Sequence, residues 1–277
     1  MEKQLVAFIG SLEDLPARLI DNEYIKTGYR INYKGFCPIF KTMFKRHNET
    51  FNIWSHFIGK LVALTLSILI IYGNPVFINY NHQDLGKNLS LIKSEEISTV
   101  SGETAYVSKW PLVVHLVAAS LCLGFSALFH LFFIYGDKTY DMLSRLDYGG
   151  ISILIMGSSY PPIFYCFSCP KVFWIRDLFL ALITLTSTSS FIATLHPIMN
   201  TPKLRTCRAY IFIFLGISAG LPFFFLMGAP DSIIKYTNPS QTATPWAVGG
   251  LVYIGGALIY AFRVPEKHYP KKFDNCG

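Results

Sequence analysis

The run WPLVVHLVAASLCLGFSALFHLFFI, Trp110 to Ile134, contains no Asp, Glu, Lys or Arg. A helix that crosses a bilayer needs about 20 mostly apolar residues, and this run supplies them. Five further windows of the same kind flank it: Phe51 to Tyr72, Asp147 to Phe167, Phe173 to Leu195, Ala209 to Met227 and Thr244 to Phe262. A strand barrel, the only other spanning architecture, would need short segments of alternating polarity, whereas these windows are continuously apolar. The pattern predicts an all-α integral membrane protein with six transmembrane helices.

Composition agrees. Of 277 residues, 52% are hydrophobic and only 15% charged, against roughly 25% charged in soluble domains. The net charge of +7 would suggest nucleic acid as a partner in a soluble protein. Here no basic run interleaved with aromatics supports that, and the positions of the basic residues explain the charge better. With a cytoplasmic N-terminus, seventeen Lys and Arg fall on the cytoplasmic side and six opposite, with Lys60 inside the first span. That positive-inside bias orients the chain. Residues 1–49 are then a cytoplasmic segment, 50–262 the transmembrane domain and 263–277 a second cytoplasmic-side segment. The loop from Gly73 to Lys109 lies outside and carries Asn88-Leu89-Ser90, a glycosylation pattern. Asn48-Glu49-Thr50 fits the same pattern on the side where no transferase acts. Plasma membrane, Golgi and endoplasmic reticulum all fit this multi-pass topology.

The start has no long apolar run and so no secretory signal. Leu12, Leu15, Leu19 and Ile20 recur at helical spacing, so a surface amphipathic helix and a solvated tail both remain open. Cys166-Phe167-Ser168-Cys169 lacks the partner pair of a zinc or redox motif and is read as thiols, with a local disulfide as the alternative. Pro161, Pro162, Pro222 and Pro245 fall in or beside spans, where they kink or open helices. Gly250, Gly255 and Gly256 suggest close helix packing.

Ionisable groups at membrane depth are costly and usually face a cavity or the bundle interior. Here they gather on one side. Glu49, Asn52 and His56 share a face at the inner end of the first span. Ser126 and His130 lie one turn apart near the inner end of the second. Asp147 opens the third, and His196 closes the fourth. His115, near the outer end of the second span, has no companion. Lys60 is expected to snorkel toward the inner headgroups.

Imidazole and carboxylate suit zinc. A catalytic zinc takes three protein ligands and a water, whose pKa it lowers to about 7. On this pattern His130 is a direct ligand, and Asp147 holds or deprotonates the water. Ser126 steadies an oxyanion or a neighbouring bond. A lone histidine is more often a structural donor than a ligand. Glu49, Asn52, His56 and His196 are therefore assigned to structural or supporting roles.

At these residues the sequence resembles the progestin and adipoQ receptor family, which includes the adiponectin receptors and the bacterial hemolysin III relatives. The matching stretches are Asn48 to His56, Ser126 to His130 and Leu146 to Ile151. Arg263-Val264-Pro265-Glu266, Tyr269-Pro270 and Lys272-Phe273-Asp274 follow the pattern after the sixth span. Tyr24-Ile25 and Gly28-Tyr29-Arg30 match before the first. The resemblance runs from about Asp21 to the end. It implies a seven-helix bundle with its N-terminus inside and a Zn2+ site near the inner face. In that site His130 is one ligand, Asp147 holds the zinc-bound water and Ser126 stands beside them. It places two more ligands in a His-x-x-x-His motif on a seventh helix. The sequence to Gly277 has no such motif, so it is either an incomplete chain or a natural six-helix form with a damaged site.

Three functions follow as expectations. The first is a membrane receptor with a zinc-dependent site that hydrolyses a ceramide-like membrane lipid at its amide, with an extracellular ligand. The second is a scaffold whose N-terminal segment tethers a cytoplasmic protein partner. The third, a transporter or channel, would need polar residues along a path across the membrane. It ranks last, because the outer halves of the spans are apolar.

Overall fold

The computed structural model describes residues 6–16, 19–20, 22–73, 76–79, 99–100, 104–200 and 204–275. Long helices dominate: α2 (Thr50–Tyr72), α3 (Trp110–Phe132), α4 (Asp137–Cys166), α5 (Phe173–Leu195), α6 (Arg205–Gly228) and α8 (Pro239–Phe262), with a four-residue α7 (Asp231–Ile234) between the last two. Four spans, Thr50–Tyr72, Trp110–Tyr135, Pro170–Leu195 and Tyr210–Gly228, are long and apolar enough to cross a membrane. Asn88-Leu89-Ser90 lies outside the described residues. Two strands, β3 (Val76–Asn79) and β5 (Thr104–Val107), pair antiparallel in the loop that precedes α3, and β4 (Thr99–Val100) pairs with β5.

The distribution of side chains is that of a protein in lipid. Large apolar residues cover the outside of the bundle, among them Ile58, Leu69, Leu185, Ile213, Phe214 and Leu251. Inside, small polar residues, including Ser67, Ser120, Ser152, Ser159, Ser187 and Ser190, are packed among apolar ones such as Ile163, Phe167 and Ile183. Lipid tails are as apolar as leucine, so helices associate through close packing and interhelical hydrogen bonds instead of hydrophobic exclusion. Ser152 and Ser190 bond 2.9 Å apart between α4 and α5, and Tyr160 reaches Thr184 at 2.6 Å.

Helix α4 is central, packing on α3 and α5 and touching α6 and α8. Gly157 permits its approach to α3, since a Cβ there would lie 2.4 Å from that of Ala118. Gly250, Gly255 and Gly256 play no such part: a Cβ on any of them meets nothing within 4 Å among the described residues. Cys166 and Cys169 are thiols, not a disulfide.

Three helix ends are closed by cations from neighbouring elements. Lys109 Nζ donates to the Ile70 and Gly73 carbonyls at the end of α2, at 2.8 and 2.9 Å. Arg145 donates to the Leu195 carbonyl at the end of α5, at 3.0 Å. Arg30 does the same for α3. The last carbonyls of a helix lack internal partners, and the helix dipole favours positive charge there.

Before α2 the described residues form neither the amphipathic helix nor the solvated tail. Strand β1 (Phe8–Ser11) pairs antiparallel with β2 (Thr27–Ile31). Asp14 accepts the Ser11 amide and hydroxyl at 2.8 and 3.0 Å and holds the turn Leu12–Asp14. Leu12 and Leu15 then pack against Ile25, Tyr29 and Ile31. Their helical spacing was misleading because tertiary burial on a hairpin outweighed local periodicity. A short helix, α1 (Phe36–Lys41), and the turn Thr42–Phe44 complete this lobe. The segment after α8 packs on it: Asp274 accepts the Lys26 and Thr27 amides at 3.1 and 2.9 Å and the Thr27 hydroxyl at 2.7 Å. The two segments expected to share the cytoplasmic side therefore sit at one end of the bundle.

Candidate functional site

Helix α2 begins where His47 and Glu49 fix its first turn. The His47 backbone N–H donates to Thr50 Oγ1 at 2.8 Å, and the Glu49 amide donates to His47 Nδ1 at 3.1 Å. With Nδ1 accepting, Nε2 carries the hydrogen and donates to the Thr42 carbonyl at 3.1 Å. Fully buried and near Arg30, His47 has its pKa pulled down to about 4. It is a neutral structural residue. Asn48 is buried beside it, which suits a structural role better than glycosylation.

Glu49 then reaches across to α3. Its Oε2 lies 2.7 Å from His130 Nδ1 and accepts Asn52 Nδ2 at 2.9 Å. Burial alone would raise the Glu49 carboxyl. The hydrogen bonds from His130 and Asn52 and the nearby Arg30 charge outweigh it, leaving the pKa below its usual value. His56, on the same face of α2, stands with its ring centroid 5.8 Å from that of His130. Its Nδ1 is buried without a hydrogen-bond partner among the described residues. Ser126 lies beside the Asp147 carboxyl, and Asp147 and Glu49 are both close enough to act on the charge of His130.

Glu49, Asn52, His56, Ser126, His130 and Asp147 therefore converge from three helices. His196 does not join them. It is exposed at the end of α5, and its Nδ1 accepts the Ile198 amide at 3.4 Å. Asp147 also sits differently from its expected place. Helix α4 starts ten residues earlier, at Asp137, so Asp147 is about 15 Å along the helix axis. A hydropathy window sees only the apolar part of a helix, and the polar run from Asp137 to Arg145 extends it.

One contributor escaped the sequence. Buried Arg30 donates to the His130 and Leu131 carbonyls at 2.6 and 2.9 Å and to Thr42 Oγ1 at 3.0 Å. Burial pulls its pKa to about 10, so it stays charged at neutral pH. The only signal was its place in the stretch Gly28-Tyr29-Arg30. Lys60 lies across Gly124 of α3, its Nζ 3.4 Å from where a Cβ would sit. Lys60 itself is about 15 Å along α2.

Glutamate, aspartate and histidine are residue types that can bind a metal. Nδ1 of His130 is engaged by Glu49. Among the described residues no three His, Cys, Asp or Glu side chains are arranged to hold one.

Apolar outer faces, small polar residues packed among apolar ones inside and a partly buried acid–imidazole cluster at one end define a multi-pass helical membrane protein. Residues 44–277 match the model of the family described as haemolysin-III related. The chain belongs to that family. It is similar to heptahelical transmembrane protein 3 of Arabidopsis thaliana, 32% identical over all of this chain and 82% of that protein. It also resembles the adiponectin receptor protein of Drosophila melanogaster, at 31% identity over 96% of this chain and 53% of the relative, so it spans about half of that protein's length. Progestin and adipoQ receptor-like protein 1 of Caenorhabditis elegans is 26% identical over 95% of this chain and 54% of its own.

Proposed function

We propose that this protein is a membrane receptor of the adiponectin and progestin receptor type, its N-terminus in the cytoplasm. The polar cluster at the inner end of α2, α3 and α4 is its working site. The observation that carries this is the convergence of Glu49, His130 and Asp147 at one end of the bundle, next to the hairpin lobe. Relatives named as adiponectin and progestin receptors support the class.

The finer reading is a zinc site that hydrolyses a lipid amide of the ceramide type. His130 is its metal ligand, Asp147 holds the water and Ser126 stands beside it. It requires further donors, since the described residues do not complete the site and the sequence holds no His-x-x-x-His. The hydrolase reading rests on donors beyond the described residues; the receptor reading does not. The lobe built on β1, β2 and α1, held to the segment after α8, favours one alternative: a scaffold that presents this face to a soluble protein.

The test is intact mass and metal content of the protein purified from its own membranes. A mass one span larger than 277 residues, with about one zinc per chain as a single-ion site requires that His130→Ala removes, supports the hydrolase. Zinc content unchanged by His130→Ala ends it. A mass matching this chain without zinc turns the work to partners of the lobe.

A further inference from the structure

The segment between β2 and α2 exposes an aromatic row. Phe36, Phe40 and Phe44 are 59%, 43% and 71% exposed. Their rings follow one another at centroid distances of 6.1 and 6.4 Å. The row is anchored at both ends to spanning helices: Phe36 stacks on Phe132 of α3 at 5.1 Å, and Phe44 meets Trp54 of α2 at 5.9 Å. Trp54 lies about 6 Å into α2, where the helix enters hydrocarbon, and Phe51 and Ile58 beside it are exposed apolar residues. The row thus continues the lipid-facing surface of the bundle at the depth of the headgroup boundary.

Charge and shape narrow the occupant. From Lys34 to His47 the sequence has no acidic residue, and Lys34, Lys41, Lys45 and Arg46 are all exposed. Beside Phe36 an open groove of about 240 Å³ is lined by Phe36, Leu128, Phe132, Tyr135, Thr139 and Leu143. Lys138, next in sequence to the lining residue Thr139, is exposed. A peptide in this groove would bury backbone polar groups against a wall that offers only two side-chain hydroxyls, which is costly for each group left unpaired. An acyl chain has no such groups.

We propose that α1 and the turn after it form an interfacial shelf that seats one anionic phospholipid of the adjoining leaflet. Phe40 and Phe44 dip into the acyl region, and an acyl chain lies in the groove against Phe36. Lys34 and Lys138 attract the phosphate. Aromatic residues prefer this depth, and basic residues are attracted to an anionic surface.

The full chain in nanodiscs tests this. A Phe40→Trp variant, and Phe44→Trp as a second position, report by their added fluorescence. Quenching by phospholipid brominated on its acyl chain, with little quenching by iodide, is expected. Quenching by iodide and not by bromolipid overturns the shelf, and would mark a face open to water or to a soluble protein. In mixed nanodiscs, phosphatidylserine should be retained on the released protein several-fold over phosphatidylcholine, and Lys34→Gln with Lys138→Gln should abolish that preference. Equal retention, or a preference that survives both substitutions, overturns the anionic headgroup.

Discussion

The Glu49 carboxylate and His130 Nδ1 lie 2.7 Å apart, joining the first turn of α2 to the last turn of α3. Asn52 bonds the same Glu49 oxygen from one turn up α2. Glu49→Ala leaves a largely buried imidazole nitrogen without its acceptor, a loss of about 1–3 kcal/mol. Glu49→Gln keeps an acceptor oxygen, so its melting temperature in detergent should lie between those of the parent and Glu49→Ala. Equal melting of all three proteins would show that the contact contributes nothing.

Arg30 holds the same turn from the other side. Its guanidinium spans two successive carbonyls of α3, a fork that an ammonium cannot reproduce. Arg30→Ala should cost about 2–4 kcal/mol, as expected when a buried charged donor is removed from a paired site, and Arg30→Lys should recover less than half. Full recovery by Lys would mean that charge alone, and not the two-pronged geometry, closes the helix.

The buried neutral His47 sets a pH dependence. Its folded pKa of about 4 lies below the ordinary 6.5, so the unfolded chain takes up its proton first as pH falls. The stabilisation is complete above about 6.5 and drains away between 6.5 and 4. Thermal melts should therefore shift downward from pH 7 to pH 4.5, and His47→Gln, which does not titrate, should show a shallower slope. Parallel slopes in the two proteins would exclude His47 as the source.

Gly157 faces Ala118 across the α3–α4 contact with no room for a methyl group. Gly157→Ala is expected to destabilise by about 1–3 kcal/mol through overpacking. Adding Ala118→Gly should restore most of it, a coupling that a double-mutant cycle of melting temperatures measures.

Asp274 is buried and accepts three hydrogen bonds from Lys26 and Thr27. In Asp274→Ala two backbone amides lose their partner, worth about 1–3 kcal/mol each when left buried. Limited trypsin digestion should then cut at Lys271 and Lys272 several-fold faster than in the parent. An unchanged digestion rate would mean that other contacts, such as Asn22 with Glu266 at 3.1 Å, hold the segment by themselves.

Long uncharged runs announced the helices because a bilayer demands continuous apolar length, and hydrophobicity is a property of residues wherever they end up. The family was legible for a related reason: Ser126-Ala127-Leu128-Phe129-His130 and the stretch around Asp147 are contiguous in sequence. That Glu49, His56, Ser126, His130 and Asp147 would gather was readable from their common end of the spans, and that His196 would stay apart was not. What the sequence by itself determined was therefore an all-α membrane protein, its family and most of one polar cluster. Only the tertiary structure decided that Leu12 and Leu15 cover a hairpin, that Lys109, Arg145 and Arg30 close the ends of other helices, and that Lys60 turns toward Gly124. Each of these depends on a partner far along the chain, and local periodicity carries no information about such a partner.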